Sequence, residues 1–185
     1  MIWRPPEPDP YVDLADTAAH EAAVRARVEE RARRDAAADV ATWIGTLRDL
    51  AERAVSVSVL TSSGRSHRGS LAAVGIDHVA LQLISGAIVL IALDTVRTVR
   101  PEPGQPAPVA MGDRERSQDR TLSEALQYIV DEQREIVLLL REVVDPMPGA
   151  VIGLGDDVLT LRVRGGDRGT LYVPLSAICE LLIAT

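Results

Sequence analysis

Two stretches of this chain, 80 residues apart, carry one pattern: GSLAAVGIDHVALQL from Gly69 and GAVIGLGDDVLTLRV from Gly149. They share Gly69/Gly149, Gly75/Gly155 and Asp77/Asp157. Apolar residues match at Leu71/Val151, Val74/Leu154, Val79/Leu159 and Leu81/Leu161. With a two-residue adjustment IALDTVRTV meets VPLSAICEL, and upstream Val55, Val57 and Val59 meet Ile136, Leu138 and Leu140. A chain that repeats itself over this length folds as copies of one supersecondary unit. Helical patterns over 40–53 and 121–135 precede the two copies.

The hydrophobic period fixes the elements within a copy. Trp43, Ile44, Leu47, Leu50 and Ala51 recur at helical spacing, and from Val55 the period falls to 2 as Val55, Val57 and Val59 alternate with Ser56 and Ser58. In the second copy Thr121 and Glu124 have the spacing of a capping box, with Leu122, Ala125, Leu126, Ile129 and Val130 on one face. Each unit is therefore a helix followed by about five strands.

The shared small residues read as backbone geometry. Gly69 and Gly149 lie inside strands, where glycine permits the bend a short sheet needs to curl over a small core. Gly64 marks a turn. Gly75 with Asp77, and Gly155 with Asp157, fit tight turns in which glycine supplies positive φ and aspartate caps backbone N–H groups.

Outside the copies, prolines at 5, 6, 8 and 10 keep residues 1–12 out of regular structure. Residues 13–39, rich in Ala, Arg and Glu, form a charged helical arm. Residues 101–120 carry four prolines and no apolar period, as a linker does. The domains expected are thus a tail at 1–12, an arm at 13–39, units at 40–100 and 121–185, and a linker at 101–120.

The segment 40–101, with its alternating first strand, Gly64, the strand glycine Gly69, the turn residue Asp77, an apolar third strand and a short final pair closing on Pro101, resembles the Sm-like family, including its bacterial Hfq branch. The second copy resembles it more loosely over 121–183. SH3-like small barrels share much of this pattern. The resemblance implies an α+β fold of two tandem five-stranded Sm-like or SH3-like small β-barrels, each preceded by a helix. It also implies association through the fourth strand of one unit and the fifth of the next. The family's RNA-contacting residues do not carry over. HVAL follows Asp77 and DVLT follows Asp157, where Sm proteins have an asparagine. LDT and LSA replace the Arg-Gly pair, and Leu93 and Asp94 stand at the Hfq Lys-His pair.

Charge bounds the function. The formal net charge is −7 and pI about 5.0, against general affinity for polyanions. Residues 55–100 are nevertheless net +2, while 136–185 are net −2. Arg65, His67, Arg68, Arg97 and Arg100 are thus the candidate nucleic-acid contacts. No aromatic residue lies among them for base stacking. GLGDD (153–157) precedes a strand, not a helix N-terminus, and RGGDRG (164–169) is a single hairpin loop, so both read as turns. Adjacent Asp156 and Asp157 point to opposite faces of a strand. Three histidines, at 20, 67 and 78, and a single cysteine, Cys179, offer no metal-ligand spacing, and Cys179 reads as a core residue. No catalytic residue, cofactor or small-molecule substrate is expected.

The basic residues are all arginine, a usage expected of a GC-rich bacterial genome. One cysteine, no apolar leader and no run approaching roughly 18 apolar residues point to a cytoplasmic protein without membrane association. The expected function is a non-enzymatic protein-interaction or assembly module. The alternative is RNA or single-stranded nucleic-acid binding through the first unit. The run IVLLL, Ile136 to Leu140, is apolar on both faces, so one face must meet something beyond its own core.

Overall fold

The computed structural model describes residues 20–32, 41–104, 120–132, 134–164 and 169–183. The expected tail 1–12 and linker residues 105–119 lie outside these, and of the arm only 20–32 is described, as helix α1. Helix α2 (Trp43–Glu52) starts where the Thr42 hydroxyl accepts from the Gly45 N–H at 3.0 Å. It buries Leu47 and Leu50. Helix α3 (Leu122–Asp131) has the capping box that Thr121 and Glu124 predict, and buries Leu122, Leu126 and Ile129.

Ten strands follow the alternating patterns: β1 (Ser56–Thr61), β2 (Ser66–Val74), β3 (His78–Leu83), β4 (Ile88–Ala92) and β5 (Val96–Pro101) in the first unit; β6 (Glu135–Leu140), β7 (Met147–Leu154), β8 (Val158–Val163), β9 (Thr170–Pro174) and β10 (Ile178–Ile183) in the second. The expectation of two closed five-stranded barrels is wrong. The strands form one open antiparallel sheet in the order β5-β1-β2-β3-β4-β10-β6-β7-β8-β9. Within each unit the fourth and fifth strands stay apart, because the free side of β4 pairs with β10 of the other unit.

Burial accounts for that outcome. On β4, Val89 and Ile91 enter the first core while Leu90 enters the second. Leu182 of β10 returns the exchange by packing against the first core, while Leu181 and Ile183 fill the second. Strands apolar on both faces need cover on both, and pairing β4 with β10 lets each strand serve two cores. The IVLLL run behaves likewise: Ile136 and Leu138 fill the second core, and buried Leu139 lies opposite Glu180 of β10 at the junction.

The units repeat one another to the level of single hydrogen bonds. Gly75 N–H donates to His78 O at 2.9 Å and Gly155 N–H to Val158 O at 2.8 Å. Leu93 N–H donates to Asp77 O, and Leu175 N–H to Asp157 O, each at 2.8 Å. Ladder irregularities also correspond, at Leu71/Ala73 and Val151/Gly153, and on the two fifth-strand pairings. Gly69 sits opposite Leu83 and Gly149 opposite Val163; a Cβ at Gly69 would lie 2.0 Å from Gln82 O, and one at Gly149 2.6 Å from Arg162 O. Close approach of the next strand demands glycine there.

The turn glycines depart from expectation. Gly64 has φ +80, but Gly75 and Gly155 are not among the positive-φ residues. A Cβ on Gly75 would instead meet the His78 ring at 2.4 Å and Arg120 O at 2.5 Å. The Asp77 side chain bonds outside its own turn instead of capping it: Oδ1 accepts from Leu122 N–H at 2.7 Å and lies 3.2 Å from His78 Nδ1, tying the first unit's turn to the first residue of α3. Among the described residues the Asp157 side chain makes no such bond, and no α-helix follows it.

Candidate functional site

The five predicted nucleic-acid contacts are not one patch. Ser58 of β1 is flanked by Arg68 on β2 and Arg100 on β5, so these two arginines share the outer face of the sheet. Arg68 there lies 3.7 Å from Glu102. His67 sits opposite Val59, whose side chain is in the first core, and therefore turns inward. Arg65, in the β1–β2 turn, and Arg97, at the irregularity of β5, line a groove at the junction of the two units. Strand alternation alone enforces the split, since residues 67 and 68 point to opposite sides.

Where His67 points, it meets Glu180 of β10. Nε2 and Oε2 are 2.6 Å apart, and the Glu180 side chain is 1% exposed. The other carboxylate oxygen accepts from Ser63 Oγ at 2.7 Å and from Thr61 Oγ1. Three groups of the first unit thus hold one carboxylate of the second. Burial pushes the Glu180 carboxyl toward its neutral form. The hydrogen bonds from His67, Thr61 and Ser63, with the charge of His67, outweigh burial and hold its pKa at about 2. An unpaired carboxylate in that position would carry a large desolvation penalty. Among the described residues no buried side-chain nitrogen or oxygen lacks a partner.

Sequence reasoning passed over Glu180, Thr61 and Ser63. The available signal was a lone glutamate inside ICELLI, an otherwise apolar strand. The register shift between Ile178 and Glu180 places Cys179 beside it, with Sγ 3.9 Å from Glu180 Oε1 and 3.7 Å from Ser62 Oγ. Cys179 is buried, as expected. The Ser63 hydroxyl donates to the carboxylate, and the imidazole of His67 meets the other carboxylate oxygen.

Above this cluster the junction groove has a volume of about 550 Å³. Arg65 and Arg97 reach it from the first unit and Arg141 from the second, with Ser62 and the apolar Val143 and Val144 completing the walls. Arg141 is fixed by donating to Asp94 at 2.6 Å and to the carbonyl of Ser176 at 2.8 Å; the hydrogen bond it donates to Asp94 raises its pKa. His78 is a buried structural residue packed over Gly75, with Nδ1 3.2 Å from Asp77. Among the described residues no group of three potential ligands could hold a metal ion, and no helix is long and apolar enough to cross a membrane.

Comparison with protein-family models, with curated proteins and with solved structures found no match.

Proposed function

We propose that the chain is a non-enzymatic assembly module of Sm-like descent, whose units join through strand edges and whose chains join the same way. The observation that carries this reading is the β4–β10 junction, with Ile88, Val89, Leu90 and Ile91 opposite Ile183, Leu182, Leu181 and Glu180. Among the described residues the same two edges recur unpaired at the ends of the sheet: β9 is the counterpart of β4, and β5 that of β10. A head-to-tail contact between chains would repeat the junction with Tyr172 opposite Val99. Such a contact is heterologous and propagates until it closes.

Local features fit that use. Leu90 is buried because β10 covers it, whereas its counterpart Tyr172 is 69% exposed. Leu175 N–H bonds back to Asp157, so by alternation Tyr172 turns its own N–H outward. Pro174 also faces outward, but its counterpart Ala92 lies beyond the last β10 partner, so it does not interrupt the repeat. Pro101 removes one outward donor from β5 and limits promiscuous pairing. The reading includes a cytoplasmic, bacterial setting, supported by arginine-only basic usage and a single cysteine.

Light scattering of the full chain tests it. Tyr172→Pro deletes an outward N–H and spares the β8 ladder. Assemblies that fall to monomer in this variant, with unchanged circular dichroism, support the proposal. A wild-type chain that is monomeric across micromolar concentrations defeats it.

A further inference from the structure

The junction groove carries a second inference, independent of whether chains assemble. We propose that it binds the phosphate group of a small phosphorylated ligand, using Arg65, Arg97 and Arg141.

The argument begins with charge. The chain has 27 acidic residues and 20 basic ones, so an arginine side chain usually finds a carboxylate nearby. Among the described residues Arg53 pairs with Asp49, Arg68 with Glu102, Arg134 with Glu132, Arg141 with Asp94 and Arg164 with Glu135. Among the described residues Arg65 and Arg97 have no carboxylate partner of this kind, yet three separate segments bring them to one concavity with Arg141. Like charges gathered in a recess repel unless an anion joins them. Glu142 also lines the groove and Asp94 offsets Arg141 from outside it. The buried carboxylate beneath, Glu180, is already satisfied by His67, Thr61 and Ser63.

Donor chemistry narrows the anion. Guanidinium groups present paired N–H donors that match the oxygens of a phosphate. Arg141 gives its Nε–H to Ser176 and an Nη2–H to Asp94, which fixes it in place with less ordering left to do on binding and leaves its remaining N–H donors for the ligand. Ser62 adds a hydroxyl at the same wall. A volume of about 550 Å³ suits a small molecule, and Val143 and Val144 give its non-phosphate portion an apolar surface.

Calorimetric titration of the full chain with inorganic phosphate, adenosine 5′-monophosphate and a short single-stranded RNA tests the site and separates the sources of phosphate. Arg65→Ser with Arg97→Ser should weaken binding about tenfold or more, as loss of charge-assisted hydrogen bonds does. Arg68→Ser with Arg100→Ser, on the outer face, removes equal charge and should leave binding unchanged. Binding of phosphate or the mononucleotide with this dependence supports a small ligand. Binding of RNA alone with the same dependence keeps the phosphate site but assigns it to a nucleic-acid backbone, overturning the small-ligand part. Equal losses in both double variants, or no binding by any of the three probes, overturns the proposal. Circular dichroism on each variant confirms folding.

Discussion

Glu180 and His67 meet at 2.6 Å across the junction of the two units although 113 residues separate them in the chain. Among the described residues no comparable polar cluster forms at the two end strands, β5 and β9. The ladders align Val57 with Ile136 and Val59 with Leu138, two residues out from the sequence match of Val59 to Leu140, because the pairing with Gly69 and Gly149 sets the register. In that register the counterpart of Glu180 is Thr98, and the positions matching Thr61 and His67 are Leu140 and Met147. The carboxylate therefore marks β4 and β10 as the pair that forms within one chain.

This contact has a pH signature. The folded pKa of Glu180, about 2, lies below its ordinary value of 4.5, so its contribution is full above pH 4.5 and is lost as pH falls toward 2. Urea unfolding measured across this window should show stability falling with pH in the wild type and a flatter profile in Glu180→Gln. Parallel profiles for the two proteins would refute the assignment.

Because each junction strand serves both cores, the units should unfold together. Leu90→Ala removes a first-unit side chain from the second core and should cost about 2–5 kcal/mol. Far-ultraviolet circular dichroism and tryptophan emission should report one shared transition before and after the change. Two separated transitions in the wild type would show the units to be independent.

The strand glycines should be intolerant. Gly69→Ala drives a Cβ into Gln82 O, and Gly149→Ala into Arg162 O; each should cost about 3 kcal/mol or prevent folding. Gly64→Ala, with open space and only the left-handed conformation against it, should cost about 1 kcal/mol. Thermal melts of the three variants rank them, and a Gly64 variant worse than the other two would contradict this account.

Asp77→Ala should destabilise by about 1 kcal/mol through loss of the bond to Leu122 N–H, and Asp77→Asn should retain most of it. Hydrogen exchange at the start of α3 is the direct readout. Unchanged protection there in the alanine variant would mean that the aspartate serves only its own turn.

Local rules made much of this legible. The repeat, the α2 and α3 faces, the capping box at Thr121 and the paired strand glycines Gly69 and Gly149 each depend on spacing a few residues long, although those glycines answer to close approach of the next strand. The candidate site was far less so. Arg65 and Arg97 were identified, but grouped with Arg68 and Arg100, which lie on another face, and with His67, which is tied up inside. Strand parity separates 67 from 68 once the strand is placed. Parity fails at Cys179, where the extra residue brings it alongside Glu180 on one side.

By itself, then, the sequence determined the elements and their duplication, because helical and strand periods and the space a Cβ requires are properties of short segments. Only the tertiary structure decided that the sheet runs on from β4 into β10 instead of closing twice. That choice compares the burial of whole strand faces, Leu90 in one core and Leu182 in the other. It also needs a carboxylate to find three donors more than a hundred residues away, and no local pattern encodes either.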